Sequence, residues 1–116
     1  MSGSPITTHV VDLTVGKPGS GISVTLERKT HTVGWQAIAQ GITDTDGRLN
    51  SLIDQSEAFL PGHYRLIYET APYYLQNNAE GFFPQVAIAF VVKDPSQHYH
   101  IPLLLSRFGY TTYRGS

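Results

Sequence analysis

The sequence contains no cysteine, so disulfide bonds and thiolate chemistry are excluded. It also has no excess of one charge, since the formal net charge is −1 at pH 7. Without a basic field, we expect it to hold neither nucleic acid nor an anionic membrane surface. Its longest apolar run, residues 86–92, is far too short to span a bilayer.

The chain also lacks the signatures that mark several enzyme classes. No G-x-S-x-G elbow, Gly-rich phosphate loop or zinc-protease helix occurs in it. No basic segment followed by an apolar stretch opens the chain, so we expect no signal peptide. We therefore expect a cytoplasmic protein, although the sequence leaves a peroxisomal or periplasmic location open.

What the chain does contain is typical of one globular β domain. Its 116 residues, 41% of them hydrophobic, match a single domain spanning 1–116. Alternating or β-rich segments predict strands at 6–13, 22–27, 35–42, from 61 onwards, 85–93, 98–105 and 110–115. A short helix is predicted over 73–80, after Pro72 and with Gly81 as its stop. About seven or eight short strands at this spacing favour an antiparallel β-sandwich.

The two-residue period of strands assigns side chains to faces within the segment 98–105. One face carries four apolar residues that are typical of a sandwich core: Tyr99, Ile101, Leu103 and Leu105. The opposite face carries His98, His100, Pro102 and Leu104, and we predict that it points outward. Because this outer face is half apolar, it indicates a covered surface such as a subunit interface.

Several polar groups could share that outer face. His9 shares a face of the first strand with Thr7 and Val11, Arg48 follows a glycine turn, and Tyr113 shares a face of the last strand with Gly115. A segment such as 113–116 is expected to be held in place if it is functional, because termini without contacts are usually disordered. Each group also has an ordinary interpretation as a surface histidine, a solvated loop charge or a strand aromatic.

Two further interpretations of the histidines stay open at this point. His98 and His100 could share a zinc ion, but no carboxylate or thiolate has matching spacing, which disfavours a metal site. His31 and His63 have no chemically useful neighbours in the sequence, so we expect them on the surface. Composition and spacing alone indicate a β-sandwich with a histidine-rich patch.

Four segments carry a resemblance to a known family. ITTHVVD at 6–12, DGR at 46–48, HYHIPLLLS at 98–106 and YRGS at 113–116 resemble the 5-hydroxyisourate hydrolases, transthyretin-like enzymes of purine degradation. The resemblance spans the whole chain. The histidine-rich run and the final tetrapeptide are specific to the enzymes, whereas the hormone carrier transthyretin resembles the chain in its core strands.

The resemblance implies a fold of two four-stranded sheets with one short helix, assembled as a homotetramer with active sites in a channel. It implies hydrolysis of 5-hydroxyisourate to 2-oxo-4-hydroxy-4-carboxy-5-ureidoimidazoline without metal or organic cofactor. The residues that match the family's catalytic set are His9, Arg48, His100, Tyr113 and Ser116. His9, Arg48 and Tyr113 would also bind the substrate, while the role of His98 is left open.

Departures from the family pattern are mild. Arg107 and Phe108 stand where the family often has Pro-Tyr, and Asp44 stands where Asn is common. Two other functions remain as alternatives to the enzyme. A transthyretin-like carrier of small planar ligands is the first, and a purely structural sandwich module is the second.

Overall fold

The structure is a computed structural model that describes residues 4–54 and 58–116. Its elements, in chain order, are β1 (Ile6–Asp12), β2 (Lys17–Pro18), β3 (Ser23–Thr30), β4 (Gly34–Ile42), β5 (Arg48–Leu49), β6 (Gly62–Glu69), α1 (Thr70–Gln76), β7 (Gln85–Val92), β8 (Tyr99–Ser106) and β9 (Gly109–Thr112). Most of the predicted strands lie within one or two residues of these bounds. Two strands are exceptions, because β3 runs three residues past its predicted end and β9 ends three residues before the predicted limit.

The strands form two sheets. One has the order β2-β1-β8-β9, with the short β5 also paired to β1, and the other has the order β4-β3-β6-β7. This confirms the predicted all-β sandwich with one short helix. The two-residue strands β2 and β5, which raise the first sheet to five strands, are too short to show as alternation in a sequence.

One pairing departs from the antiparallel prediction, because β1 and β8 run parallel. Parallel neighbours need a long connection between them, and here the whole second sheet supplies it. Every other pairing between named strands of the described residues is antiparallel. Strand alternation carries no information about the direction of a partner, so the sequence could not reveal this pair.

The core lies between the two sheets and contains the predicted face of β8. Leu103 and Leu105 are at most 1% exposed, and they pack with β3 residues such as Val24 and Leu26. His100 and Leu104, which alternate with them, are only half-buried. The outward direction predicted for the His100 face is therefore confirmed.

The helix begins earlier than predicted. It starts at Thr70, directly after β6, so that Pro72 lies in its first turn, where a missing N–H breaks no helical bond. It ends before Asn78, which adopts a left-handed φ of 54° and replaces Gly81 as the stop. Within residues 4–54 and 58–116, no helix has the length and hydrophobicity to cross a membrane.

A polar contact inside the fold joins this helix to the first sheet. The Tyr73 hydroxyl donates to Oδ2 of Asp12 at 2.6 Å, and the N–H of Thr14 donates to Oδ1 at 2.9 Å. Asp12 is 4% exposed, so its carboxylate depends on these donors to offset the loss of water. Burial, and then the Asp12 carboxylate, raise the pKa of Tyr73, which keeps the hydroxyl protonated as a donor.

We expect Tyr73→Phe to lower the free energy of unfolding by about 1.5–3 kcal/mol, because it removes a buried hydrogen bond to a charged group. Urea unfolding followed by circular dichroism would measure this. Tyr110→Phe is the matched control, since the Tyr110 hydroxyl makes no hydrogen bond to a described residue and the side chain is 40% exposed. Equal stability of the two variants would contradict the importance of the Tyr73 bond.

Candidate functional site

The pairing of three strands places the candidate residues on one outer face. His9 of β1 stands opposite Arg48 of β5 on one side and beside Pro102 of β8 on the other. In the adjacent row of the same face, Thr7 stands beside His100. Directly opposed residues of neighbouring strands project to the same face. The sheet therefore brings His9, Arg48 and His100 together, although they lie far apart in the sequence.

Residues 113–116 extend this arrangement along the free edge of β8. The N–H of Gly115 donates to the carbonyl of His100 at 2.7 Å, and the two residues form an isolated bridge. Because this bridge keeps the register of β8 with β9, in which Leu103 pairs with Thr112, Tyr113 stands opposite Pro102. The predicted strand thus continues in register to Gly115, although its regular ladder ends at Thr112.

Contacts of Arg114 and Gly115 hold this segment in place, as expected from the sequence. The Arg114 guanidinium lies 4.4 Å from the centre of the Tyr99 ring and donates to Oε1 of Gln97 at 3.0 Å. A Cβ added to Gly115 would lie 2.7 Å from Cδ2 of His100. A larger residue at this position would therefore push against the imidazole or lift the segment from the sheet.

The glycine turn that carries Arg48 is fastened to β1. The Asp44 carboxylate accepts hydrogen bonds from the N–H groups of Asp46 and Arg48, each at 2.9 Å. Gly47 has a φ of +77°, and a Cβ there would lie 2.3 Å from the carbonyl oxygen of Val10. Only glycine fits at position 47 of this turn. The turn also determines the position from which the Arg48 side chain projects.

The same turn fixes the protonation of one imidazole nitrogen. Nε2 of His9 lies 3.0 Å from the carbonyl oxygen of Asp46. A carbonyl oxygen only accepts, so Nε2 of His9 carries a proton and donates it. Nδ1 of His9 then remains available to another group when the ring is neutral.

His100 of β8 and His98, the residue just before this strand, are joined by the hydroxyl of Thr7, which is not among the predicted site residues. The Thr7 hydroxyl lies 2.7 Å from Nδ1 of His100 and 3.0 Å from Nε2 of His98. The sequence placed Thr7 on the face of His9, but only the parallel register of β1 with β8 brings it next to His100. Asp44 was also missed as a support of Arg48, because its distance from the turn amides is not visible in a sequence.

The electrostatic surroundings of His100 favour its neutral form. Burial is the main cause that lowers the pKa of His100 below 6.5, its usual value. The charges of His98, Arg48 and His9 lower it further, because they repel an imidazolium. His100 is therefore uncharged near pH 7 and can accept a proton.

Arg48 is suited to binding an anion at the same face. Its side chain is exposed, and its guanidinium makes no hydrogen bond to any of the residues that the structure describes. A free guanidinium can bind a carboxylate or another planar anion through two parallel hydrogen bonds. The face thus pairs a neutral base with a permanent cation.

The remaining candidates lie at the margin of this face. Tyr113 is 56% exposed and lines an apolar groove between β7 and β9 together with Ile88, Phe90, Tyr99 and Ile101. Ser116 is exposed beside Gly115. His31 and His63 are exposed, as predicted, and neither makes a side-chain hydrogen bond to a described residue.

The apolar half of the face is partly covered by the chain itself. Pro102 is buried, and its Cγ would lie 3.2 Å from a Cβ at Gly115. Leu104 remains half-buried. In the described part of the chain, no group of three or more histidine, cysteine or acidic side chains is arranged to hold a metal ion.

Known proteins are similar to this chain in both sequence and fold. The family model described as HIUase/Transthyretin family matches residues 6–115. The chain is similar to the 5-hydroxyisourate hydrolase of Salmonella dublin, with 41% identity over 96% of this chain and 80% of that protein. Its fold is similar to the 5-hydroxyisourate hydrolase of Klebsiella pneumoniae, with a TM-score of 0.81, 31% identity and coverage of 96% and 98%. It is also similar to sea bream transthyretin in complex with thyroxine, with a TM-score of 0.89, 30% identity and coverage of 97% and 95%.

We expect Arg48→Gln to raise the pKa of His100, because it removes a positive charge that disfavours the imidazolium. Titration of the imidazole signals by NMR would measure the shift. Arg107→Gln is the matched control, since the Arg107 side chain donates to the carbonyl of Glu80 instead. A pKa of His100 that responded equally to both variants would contradict a specific effect of Arg48.

Proposed function

The chain belongs to the HIUase/Transthyretin family, and we propose that it is the hydrolase of 5-hydroxyisourate in urate degradation. The product would be 2-oxo-4-hydroxy-4-carboxy-5-ureidoimidazoline, released by opening the six-membered ring as a cyclic amide hydrolase does. The observation that carries the proposal is the neutral His100 on one face with His9 and Arg48. Relatives named 5-hydroxyisourate hydrolase from a bacterium and from mouse support it.

In this proposal His100 acts as the general base. Its neutral imidazole takes a proton from water as the water oxygen attacks the acyl carbon, which is a role suited to a group titrating near or below neutrality. The oxyanion that forms needs donors nearby. Arg48 supplies a charged donor for the ring oxygens of the substrate and for this developing charge.

His9, Tyr113 and Ser116 would complete the site. Nε2 of His9 is engaged with the Asp46 carbonyl, so its other nitrogen would orient the substrate or the water. Tyr113 would stack on the planar substrate or donate to one of its carbonyls. Ser116, next to the Gly115 that packs on His100, would offer a further hydroxyl at the margin. The scheme uses no metal ion and no organic cofactor.

A homotetramer is part of the proposal. In the described residues, β7 and β9 pair with a strand on one side only, and the groove between them is mainly apolar. Free strand edges beside an apolar groove are suited to pairing with another copy. Two copies joined through these edges would form a dimer. Two dimers packed through their His9 faces would then enclose the sites in a channel. A cytoplasmic location remains a prediction from the sequence.

A carrier of small planar ligands is the second candidate, and the likeness to transthyretin in complex with thyroxine favours it. The two functions need different surfaces. An apolar channel suits a carrier, whereas His9, Arg48 and His100 supply a base and a cation for hydrolysis. Decay of 5-hydroxyisourate, generated with urate oxidase and followed with and without the protein, separates them, since a carrier would leave the rate unchanged.

We expect His9→Ala and His100→Ala to lower kcat by about 10²–10⁴-fold, because each removes a group that acts in the transition state. Arg48→Ala should also raise KM, since its charge already attracts the bound anion. Tyr113→Phe should have a milder effect, because the aromatic ring stays and only the hydroxyl is lost.

Wild-type activity should fall as the pH drops through the pKa of His100, which lies below 6.5, because protonation removes the base.

His31→Ala and His63→Ala are the controls for these variants, since both side chains are exposed and belong to the other sheet, with His63 in β6 and His31 in the turn after β3. They should keep near-wild-type kcat and KM. A site on another face would be indicated if either control lost activity while His9→Ala and His100→Ala kept it.

We expect the active protein to have a mass of four chains of 12.8 kDa each. Light scattering coupled to size-exclusion chromatography would measure it, with activity assayed in the same fractions. A fully active monomer would rule out the tetramer while leaving the hydrolase proposal intact.

A further inference from the structure

The Thr7 hydroxyl connects two imidazoles that otherwise have no direct bond. It lies 2.7 Å from Nδ1 of His100 and 3.0 Å from Nε2 of His98, while the two ring centres are 6.4 Å apart. Thr7 is 5% exposed, so water has little access to its hydroxyl. The three groups form a continuous chain of hydrogen bonds from a half-buried histidine to an exposed one.

The numbers of donors and acceptors in these three side chains decide which group donates in each hydrogen bond. A threonine hydroxyl has one hydrogen and can accept two bonds, and a neutral imidazole has one N–H and one bare nitrogen. Thr7 is 5% exposed, and its hydroxyl has no other partner among the described residues, so its hydrogen is satisfied only by donation to one of the two imidazoles. The other imidazole must then donate its N–H to the Thr7 oxygen. The proton positions of His98 and His100 are coupled, because fixing one fixes the second.

The direction of the chain follows if His100 is the base, and this step rests on the proposed function. Nδ1 of His100 is occupied by Thr7, so only Nε2 can meet the attacking water. Nε2 must then be bare, and the ring carries its proton on Nδ1, which donates to Thr7. Thr7 in turn donates its only hydrogen to Nε2 of His98.

We propose that Thr7 is a positioning residue that fixes the tautomer of His100 and relays the proton taken from water to His98. In this step a new N–H bond forms at Nε2 of His100 as the O–H bond of water breaks. The Nδ1 proton of His100 passes to the Thr7 oxygen, and the Thr7 hydrogen passes to Nε2 of His98. His100 ends neutral, and His98 ends as an imidazolium exposed to solvent, where it can release the proton.

The surroundings are consistent with a relay in this direction. The titratable and charged groups that act on His100 are His98 just before its strand, His9 on β1 and Arg48 on β5. The C-terminal segment that packs beside it also carries Tyr113 and Arg114. Of these groups, Arg48 is permanently charged and opposes a lasting charge on His100. His98 is exposed. Its carbonyl accepts a hydrogen bond from Arg114 at 3.3 Å, and this bond holds the backbone just before β8 in place.

The test combines two readouts on the intact protein. Long-range proton–nitrogen NMR of histidine-labelled protein reports which ring nitrogen of His100 carries the proton, and the 5-hydroxyisourate assay reports kcat and KM. We expect Thr7→Val to move the His100 proton to Nε2 and to lower kcat at least about 10-fold with KM little changed, as for other losses of a correct tautomer. Thr7→Ser keeps the hydroxyl and should restore both readouts.

Two further variants make the result specific. Thr25→Val is the matched control, because Thr25 is a half-buried strand threonine of the other sheet whose hydroxyl makes no bond to a described residue. His98→Gln keeps an acceptor near the Nε2 position but cannot take up a proton. It should therefore preserve the His100 tautomer and still lower kcat. This variant decides the matter even if Thr7→Val does not fold.

The outcomes separate the relay from the proposed function. An active wild type whose kcat is unchanged by His98→Gln would overturn the relay alone, as would a wild-type His100 that carries its proton on Nε2. A wild type that does not accelerate the decay of 5-hydroxyisourate would overturn the proposed function, and the relay with it. Loss of kcat in both variants, with recovery in Thr7→Ser, supports the relay.

Discussion

The parallel pairing of β1 with β8 is the constraint on which the candidate site depends. It places Thr7 beside His100 and His9 beside Pro102, and β5 and the C-terminal segment then attach to the two outer sides of this pair. A slip of one residue would turn His9 into the core and expose Val10 instead. The inward residues prevent such a slip, because Ile6 and Val10 are fully buried and the Thr8 hydroxyl donates to the carbonyl of Ile101 at 2.6 Å.

Much of this fold could be predicted from the sequence, because the relevant signals are local. Alternation in 98–105 separates core from outer face correctly, and the Asp46-Gly47 turn is recognisable from its residues alone. The predicted helix begins only after Pro72, whereas α1 begins before it, because proline is tolerated inside the first turn of a helix. The helix stop was missed because Asn78, like glycine, can adopt a left-handed conformation.

The contacts within the site could be predicted only in part. Strand period predicts the outer face for His100, and the resemblance adds His9 and Arg48 to it, but no local pattern states which strands are neighbours. Thr7 and Asp44 act through single hydroxyl and carboxylate contacts across strands or turns. Such contacts are determined by register and direction, which depend on the burial of the whole chain. A likeness to both hydrolases and a thyroxine-bound transthyretin shows that the shared sandwich does not determine the chemistry by itself.

The buried Asp12 helps to hold β1, the strand that carries His9, against the opposite layer of the fold. Asp12 and Thr8 alternate with His9 along β1, and their side chains are bonded to Tyr73 of the helix and to Tyr68 of the second sheet. The strand is thereby anchored to the opposite layer on either side of His9, and local opening of the strand would have to break both contacts. The site is thus built on a strand that is fixed from its inner side, and this lowers the conformational entropy that remains to be lost there when a ligand binds.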